Sequence, residues 1–458
     1  MAETGTGMTR RRATAAALGG ATGGAMLLAL GACGPAGAGT PPAKEAAPVR
    51  FSFWNARAFD LMEQHMIEVY REKNPNVTVE YVPAADRGVT GSDAEQVNGL
   101  IIRATAGGTI DIAKVEASRM PFALWARKAI LSLKKFGGDK LASTLLNPTL
   151  MNFAGDTWSL SYEASVRGLM YNGSMFRTAG LDPDRPPQTW EEVVSMGQRL
   201  AAPPERFAYT YPINNLFKTL DQIWMNGGDI FDRQYLPTKA TFTRREVQEV
   251  YQFQYDLVHK YGIAPDKAIS NAALSGAEAM EYGDASSTPA FRAKQPEADW
   301  RVVKMFRQKA QSDCFVSAAG SGLVLFNASA APEAAYQYMA WLVGDEAQRI
   351  HSLITPGGLT MDQIGTTGIF PGNKRVAADP YWDTNPLVKG MNNCVTGIRA
   401  AATSPVFTEI NTMLSDMQVQ ILAKKVSVPD ALADAQRQGQ ALLDNDVKSN
   451  PDLYATAR

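Results

Sequence analysis

Between residues 50 and 115 the chain switches repeatedly between a two-residue and a helical apolar period, and this constrains its fold more than any other feature. Arg50-Phe51-Ser52-Phe53-Trp54 predicts a short strand. Phe59, Met62, Met66, Val69 and Tyr70 then recur at helical spacing until Asn74-Pro75-Asn76 stops them. Val77 to Val82 alternates as a half-buried strand does. Ser92-x-x-Glu95 reads as a capping box opening a helix to about Ala106, Gly107-Gly108 ends it, and Ile110 to Val115 reads as the next strand. The order β-α-β-α-β predicts an α/β domain with a mostly parallel sheet.

The same signals continue downstream. Thr189-x-x-Glu192 and Thr243-x-x-Glu246 read as two more capping boxes, and Pro332 suits the first position of a helix carrying Ala335, Tyr338, Met339 and Leu342. Two helical patterns close the chain, about Pro405 to Lys424 and Pro429 to Asp446. A length of 458 residues suggests two or more structural units at roughly 100–200 residues each.

Composition removes several functions. With 45 Lys+Arg against 46 Asp+Glu there is no basic footprint for nucleic acid. His65, His259 and His351 are far apart in sequence and form no metal-binding motif, so no metal or cofactor is expected. Three cysteines make neither a disulfide scaffold nor a four-cysteine zinc site.

The N-terminus reads as an address. Arg10, Arg11 and Arg12 precede an uncharged stretch from Ala13 to Ala32, which ends in Leu30-Gly31-Ala32 before Cys33. A basic region, a modest apolar region and small residues before a cleavage point describe a secretory signal. Twenty uncharged residues can just span a bilayer, but five glycines make this stretch weakly apolar. Leu-Gly-Ala-Cys resembles a bacterial lipobox, which implies lipidation of Cys33. Export by the Sec route or, given the arginines, the twin-arginine route follows. Residues 33–48 are rich in Gly, Pro and Ala and read as a tether. Cys314 and Cys394 remain, either as a disulfide of the exported protein or as two buried thiols.

A longer resemblance lies in the middle of the chain. Gly155-Asp156-Thr157-Trp158-Ser159-Leu160-Ser161-Tyr162 leads to Tyr171-Asn172, then to Phe176 with Ala179-Gly180-Leu181, then to Pro186-Pro187-Gln188-Thr189-Trp190-Glu191-Glu192. This series resembles the central signature of bacterial extracellular solute-binding proteins of ABC importers, the sugar-binding family that includes maltose-binding protein. Trp224-Met225-Asn226-Gly227-Gly228-Asp229, Glu278-Ala279-Met280 with Gly283, and Gly344-Asp345-Glu346-Ala347-Gln348 resemble its later blocks.

The resemblance implies a two-lobed periplasmic-binding-protein-like fold whose discontinuous lobes are joined by crossing hinge segments. By position, residues 1–32 are the signal and 33–48 the tether. Residues 49–163 and 316–358 fall to the N-lobe, and 164–315 and 359–458 to the C-lobe. Crossings are expected near Tyr162 to Ser165, Phe315 to Gly322 and Gly357 to Gly365. The family's closure about the hinge would trap a solute, for delivery to permease subunits by a monomer anchored outside the cytoplasm.

A sugar site needs aromatic faces and hydrogen-bonding side chains at strand ends and the loops that follow. The candidates are Trp54 and Asn55 after the first strand, Glu116 after the third, Tyr162 and Glu163 at the first crossing, and Trp224, Asn226, Gly227, Gly228 and Asp229. For the tryptophans core packing is the alternative, for Glu116 a solvated loop, and Arg167 is an ion-pair partner for one of the acids. The family's aromatic after the Met280 block is absent here; either the platform has moved to Phe291 or hydroxyls stand in its place. Near the third crossing, Tyr381-Trp382-Asp383 could line the cleft, with surface packing as the favoured alternative. The rival reading is an exported carbohydrate-active enzyme using two of Glu116, Glu163 and Asp229 across a cleft. A third keeps the fold and changes the solute to a polyol or a glycerol-phosphate-like molecule.

Overall fold

The structure is a computed structural model. It describes residues 48–56, 60–90, 93–106, 110–164, 167–269, 271–284, 297–309, 313, 315–317, 320–353, 370–384 and 397–456. Its strands are β1 (Val49–Asn55), β2 (Val77–Pro83), β3 (Ile112–Glu116), β4 (Asn152–Phe153), β5 (Asp156–Thr157), β6 (Leu160–Ala164), β7 (Arg167–Asn172), β8 (Phe207–Thr210), β9 (Glu278–Asp284), β10 (Trp300–Val303), β11 (Val316–Ser317), β12 (Gly320–Leu325), β13 (Phe370–Pro371) and β14 (Ile398–Arg399).

Six of them form one sheet in the order β13-β6-β12-β3-β1-β2. β1 runs parallel to β2 and β3, as the opening alternation predicts. The other half is antiparallel: β12 against β3, and β6 and β13 in turn. The sheet is therefore mixed rather than mostly parallel, because strands from distant parts of the chain complete it. β13 comes from the stretch expected in the C-lobe, yet it pairs with β6, so this sheet keeps the chain beyond residue 358. β11, expected at the head of an N-lobe segment, pairs instead with β14.

Strand alternation builds a core on each face of this sheet. Phe51, Phe53 and Ile112 pack with Met62, Met66 and Tyr70 of the helix Asp60–Lys73 and with Tyr338 and Leu342 of the helix Pro332–Leu342. Trp54, Ala113 and Val115 face the other way, onto Val97 and Leu100 of the helix Asp93–Thr105 and onto Met120 and Leu124. Lys114 shares the face of Ile112, so β3 carries a charge into the first core.

The second sheet has the order β10-β7-β9-β8. Leu169, Tyr209 and Met280 anchor its core against the helices Trp190–Leu200 and Arg245–His259. The capping box at Thr189 forms in both directions: Thr189 Oγ1 accepts from Glu192 N at 3.2 Å, and Glu192 Oε2 accepts from Thr189 N at 3.0 Å. The one expected at Thr243 does not form. The helix starts at Arg245 with Arg244 as N-cap and no capping side chain. A further core joins the helices Leu216–Met225, Phe407–Leu422 and Val428–Ser449.

The chain passes from the first sheet to the second between β6 and β7, leaves the second after β10, and is back in the first at β12 by way of β11 in its own two-stranded sheet with β14. Glu163 and Ser321, neighbours across these strands, lie beside the passages. Because β12 runs against β3 and pairs Ser321 with Glu116, the carboxyl end of β3 opens on the same side.

Candidate functional site

The loop leaving β3 is shaped by Glu116. Its Oε1 accepts from Ser118 N at 2.9 Å and Ser118 Oγ at 2.5 Å, and its Oε2 accepts from Arg119 N at 3.0 Å. These bonds turn the chain into the helix Met120–Ala126, whose own N-cap, Arg119, supplies no side-chain bond. The turn projects the Arg119 guanidinium across to the helical layer. Its Cζ lies 4.8 Å from the Phe217 ring centroid and 5.8 Å from that of Phe407, with Nε 3.8 Å from Glu116. Phe217 lies in the first turn of the helix Leu216–Met225, and Phe407 begins the helix Phe407–Leu422. One arginine from the first sheet thus stacks on two rings from the other side, a cation–π arrangement.

Around this arginine lies a cavity of about 370 Å³. Helix Met120–Ala126 forms one wall with Phe122 and, just past its end, Arg127; the segment Thr403–Thr408 forms the other, with Asn450 and Leu453 closing it. Thr403 is fixed by backbone bonds, donating to Gln234 O at 2.7 Å and accepting from Leu236 N at 2.9 Å. Phe122 is held by Phe153 and Tyr235, each with its ring centroid 5.5 Å away. Ser404 lines the cavity at 9% exposure, and its Oγ has no hydrogen-bond partner among the described residues. Rings, hydroxyls and guanidinium groups on a pocket of this size suit a small polar solute, since ligand pockets run to about 300–1,000 Å³.

A second concentration of charge sits behind the strand ends. Lys114 Nζ donates to Glu63 Oε1 at 2.6 Å and to Glu163 Oε1 at 2.7 Å, all three buried. Tyr162 Oη donates to Glu63 Oε2 at 3.1 Å, and Ser321 Oγ to Glu163 Oε2 at 2.5 Å. His351 Nε2 lies 3.7 Å and 3.5 Å from the two carboxylates. Burial alone would raise the pKa of Glu63, but Lys114 and His351 outweigh it and bring it down to about 2. For Lys114, burial pushes down while Glu163 and Glu63 push up harder, so its pKa is raised. One ligand atom each from Glu63, Glu163 and His351 lies within 4.8 Å of the others, a donor set a divalent ion can use. The Lys114 ammonium already bridges both carboxylates, so the cluster holds its own cation. A third buried network joins Arg167, Asp221, Tyr282 and Ser317 across β7, β9 and β11. Arg167 thus pairs with Asp221 rather than with a candidate acid.

Residues 55–349 match the family model of bacterial extracellular solute-binding proteins. The chain belongs to that family. Its fold agrees with a cyclic α-maltosyl-1,6-maltose binding protein from Arthrobacter globiformis, 20% identical, with a TM-score of 0.73 over 87% of this chain and 100% of that one. It agrees also with UgpB from Mycobacterium tuberculosis, solved in complex with glycerophosphocholine: 18% identity, TM-score 0.70, 87% and 99% covered. A probable amino-acid ABC transporter periplasmic-binding protein of Sinorhizobium fredii is 35% identical over 77 residues, 16% of this chain. The match spans only 17% of that relative's length. As a member of this family, the chain is an extracytoplasmic solute-binding protein with a two-lobed fold.

In this solute-binding protein the candidate residues fall into separate groups. Trp54 is 6% exposed in the core beside β3, its Nε1 without a partner among the described residues. Asn55 donates to Tyr81 Oη at 3.0 Å. Tyr162 and Glu163 belong to the Lys114 cluster, and Glu116 shapes the loop of Arg119 rather than standing in solvent. Trp224 is buried in the helical core under Arg399, whose Cζ lies 5.0 Å from its ring; Arg399 also reaches Asp229 Oδ2 at 3.4 Å. Asn226 donates to Glu246 O and Glu249 Oε2. Gly227 ends the helix at φ +82, and a Cβ on Gly228 would meet Glu246 Cβ at 2.8 Å, so these glycines serve a turn and a close helix contact. Trp382 is buried against Phe370 rather than on the surface. Phe291, Cys33, Cys314 and Cys394 lie outside the described residues.

Sequence reasoning passed over Arg119, Ser404, Phe407 and Lys114. Arg119 was within reach, because it follows the same strand end that singled out Glu116. Lys114 was visible as a charge on the inward phase of an apolar strand. Nothing local marks Phe407, which the fold brings to Arg119 from 288 positions away.

Proposed function

We propose that this chain captures a polyhydroxylated solute, a carbohydrate in the first place, in the cavity between the helix Met120–Ala126 and the segment Thr403–Thr408, and hands it to the permease subunits of an ABC importer. The observation that carries this reading is the Arg119 guanidinium held against Phe217 and Phe407 at that cavity. It places a guanidinium group and the ring of Phe407 where two parts of the fold meet. The lobes lie on either side of the β6–β7 and β11–β12 passages, and rotation about these few strand residues closes them on the solute. Cys33 carries the lipid that anchors a monomer outside the cytoplasm. The protein binds without catalysis, a reading supported by the state of the three acids an enzyme would need. Glu116 is bound to its own loop, Glu163 to Lys114 and Ser321, and Asp229 to Arg399.

Thermal-shift screening against mono- and oligosaccharides and polyols tests the proposal. A solute at 100 times its Kd adds about 2.7 kcal/mol, a visible rise in Tm. A shift with one solute class and no product on long incubation supports the receptor. Product formation favours the enzyme, and no shift with any solute contradicts the carbohydrate assignment.

A further inference from the structure

A cluster of rings beside the cavity is shared by parts of the chain on opposite sides of the β6–β7 passage. Phe122, Trp125, Phe153 and Trp158 precede that passage, and Tyr235 and Leu236 follow it. The first four belong with the first sheet. Phe122 and Trp125 ride on the helix Met120–Ala126, and Trp125 and Trp158 also pack on the core beside β3. Phe153 lies in the β4–β5 hairpin, where its carbonyl accepts from Trp158 Nε1 at 2.9 Å. The Tyr235 ring meets this group from the other part of the fold. Its centroid lies 5.5 Å from that of Phe122, with the planes 22° apart, and 5.2 Å from that of Phe153. Tyr454, whose Oη donates to Asp446 Oδ2 at 2.7 Å, joins from the end of the last helices.

The turn that carries Tyr235 is held against its own backbone preference. Leu236 is fully buried at φ +49, a left-handed conformation that a bulky side chain rarely adopts. Three bonds keep it there: Leu236 N to Thr403 O at 2.9 Å, Thr403 N to Gln234 O at 2.7 Å and Arg233 Nε to Leu236 O at 2.8 Å. Such a conformation persists only where the surroundings over-determine it. Here they set Tyr235 and Leu236 against Phe122.

Tyr235 does not line the cavity. Its contacts favour the arrangement in which the two parts meet, and they need no ligand to do so. We propose that these rings form a clasp that holds the lobes together before any solute arrives, with Tyr235 as its positioning residue. Closure is then not driven by solute alone, and affinity scales with the fraction of molecules already clasped. This rests on the receptor reading above and adds what sets its resting state.

Hydrogen–deuterium exchange of the solute-free full chain in detergent, wild type against Tyr235→Ala, tests it. Loss of the ring should speed exchange at least about fivefold, the worth of one aromatic pair, in residues 120–126 and 152–158 across the passage. Tyr235→Phe keeps the ring and should match the wild type. Faster exchange confined to residues 233–237 and 403 would show a purely local role and overturn the clasp. Should Tyr235→Ala fail to fold, Phe153→Leu gives the converse reading. Faster exchange is then expected in residues 234–237, and no change there overturns the proposal equally. Every solute that raises Tm in the thermal screen should lose affinity for Tyr235→Ala by one common factor. A loss for one solute class alone would make Tyr235 a solute contact and overturn the clasp. If no solute binds the wild type, the receptor reading fails, while the solute-free exchange still decides this one.

Discussion

Lys114 Nζ lies 2.7 Å from Glu163 Oε1, and Glu163 sits on the strand from which the chain leaves its first sheet. This buried pair, completed by Glu63, ties β3, β6 and the helix Asp60–Lys73 together behind the cavity-side strand ends.

Removing the cation leaves two buried carboxylates facing each other. Lys114→Met is expected to cost about 3–5 kcal/mol, the range for breaking a buried pair by deleting one partner. Urea unfolding measures it. Lys114→Met combined with Glu163→Gln should recover part of that loss, and a single-variant cost below about 1 kcal/mol would show that the charges are not coupled as the geometry requires.

The same cluster sets an acid limit. Glu63 has a folded pKa of about 2 against 4.5 for the free side chain. A depressed carboxylate stabilises fully above the unfolded value and loses its contribution as pH falls through the folded one. Stability should therefore decline from about pH 4.5 towards about pH 2, and Glu63→Gln should flatten that decline.

Glu278 behaves in the opposite sense. Burial holds its pKa well above the usual 4.5, despite a bond from Thr210 N at 2.6 Å to Oε1. Its ionised form is disfavoured in the fold, so its contribution is complete at low pH and lost as pH rises through the folded value. Glu278→Gln keeps an acceptor for Thr210 and should raise Tm at pH 8 more than at pH 4. An equal effect at both pH values would contradict the assignment.

Trp224 separates core from site. With 2% exposure among Leu220, Phe242 and Phe407, Trp224→Ala is expected to cost about 3–5 kcal/mol as a large-to-small core change. Unchanged stability with lost solute affinity would return Trp224 to the binding site.

Cys33→Ser is expected to leave the chain without lipid and shed it from the membrane. Detergent-phase partitioning reads this directly, and retention of the variant in the detergent phase would contradict the anchor.

The strand–helix alternation from Val49 to Glu116 was legible because each element carries its own period and its own stop. Thr189 and Glu192 show the same, since a capping box is complete within four residues. What distant segments supply was not legible. β12 and β13 join the first sheet from the far end of the chain and make it mixed. Trp224 and Asn226 read as a site because an aromatic beside glycines suits a ligand, and the same residues equally suit a helix end packed on a neighbour. The Arg119–Phe407 contact depends on two segments that carry no shared local pattern.

The central claim is that solute enters between the helix after β3 and the start of the helix at Phe407. Hydrogen–deuterium exchange of the chain, with and without the solute that raises its Tm, tests this most directly. Protection is expected together in residues 117–127 and 403–408. Protection confined to residues 224–229, with both of those segments unchanged, would contradict it.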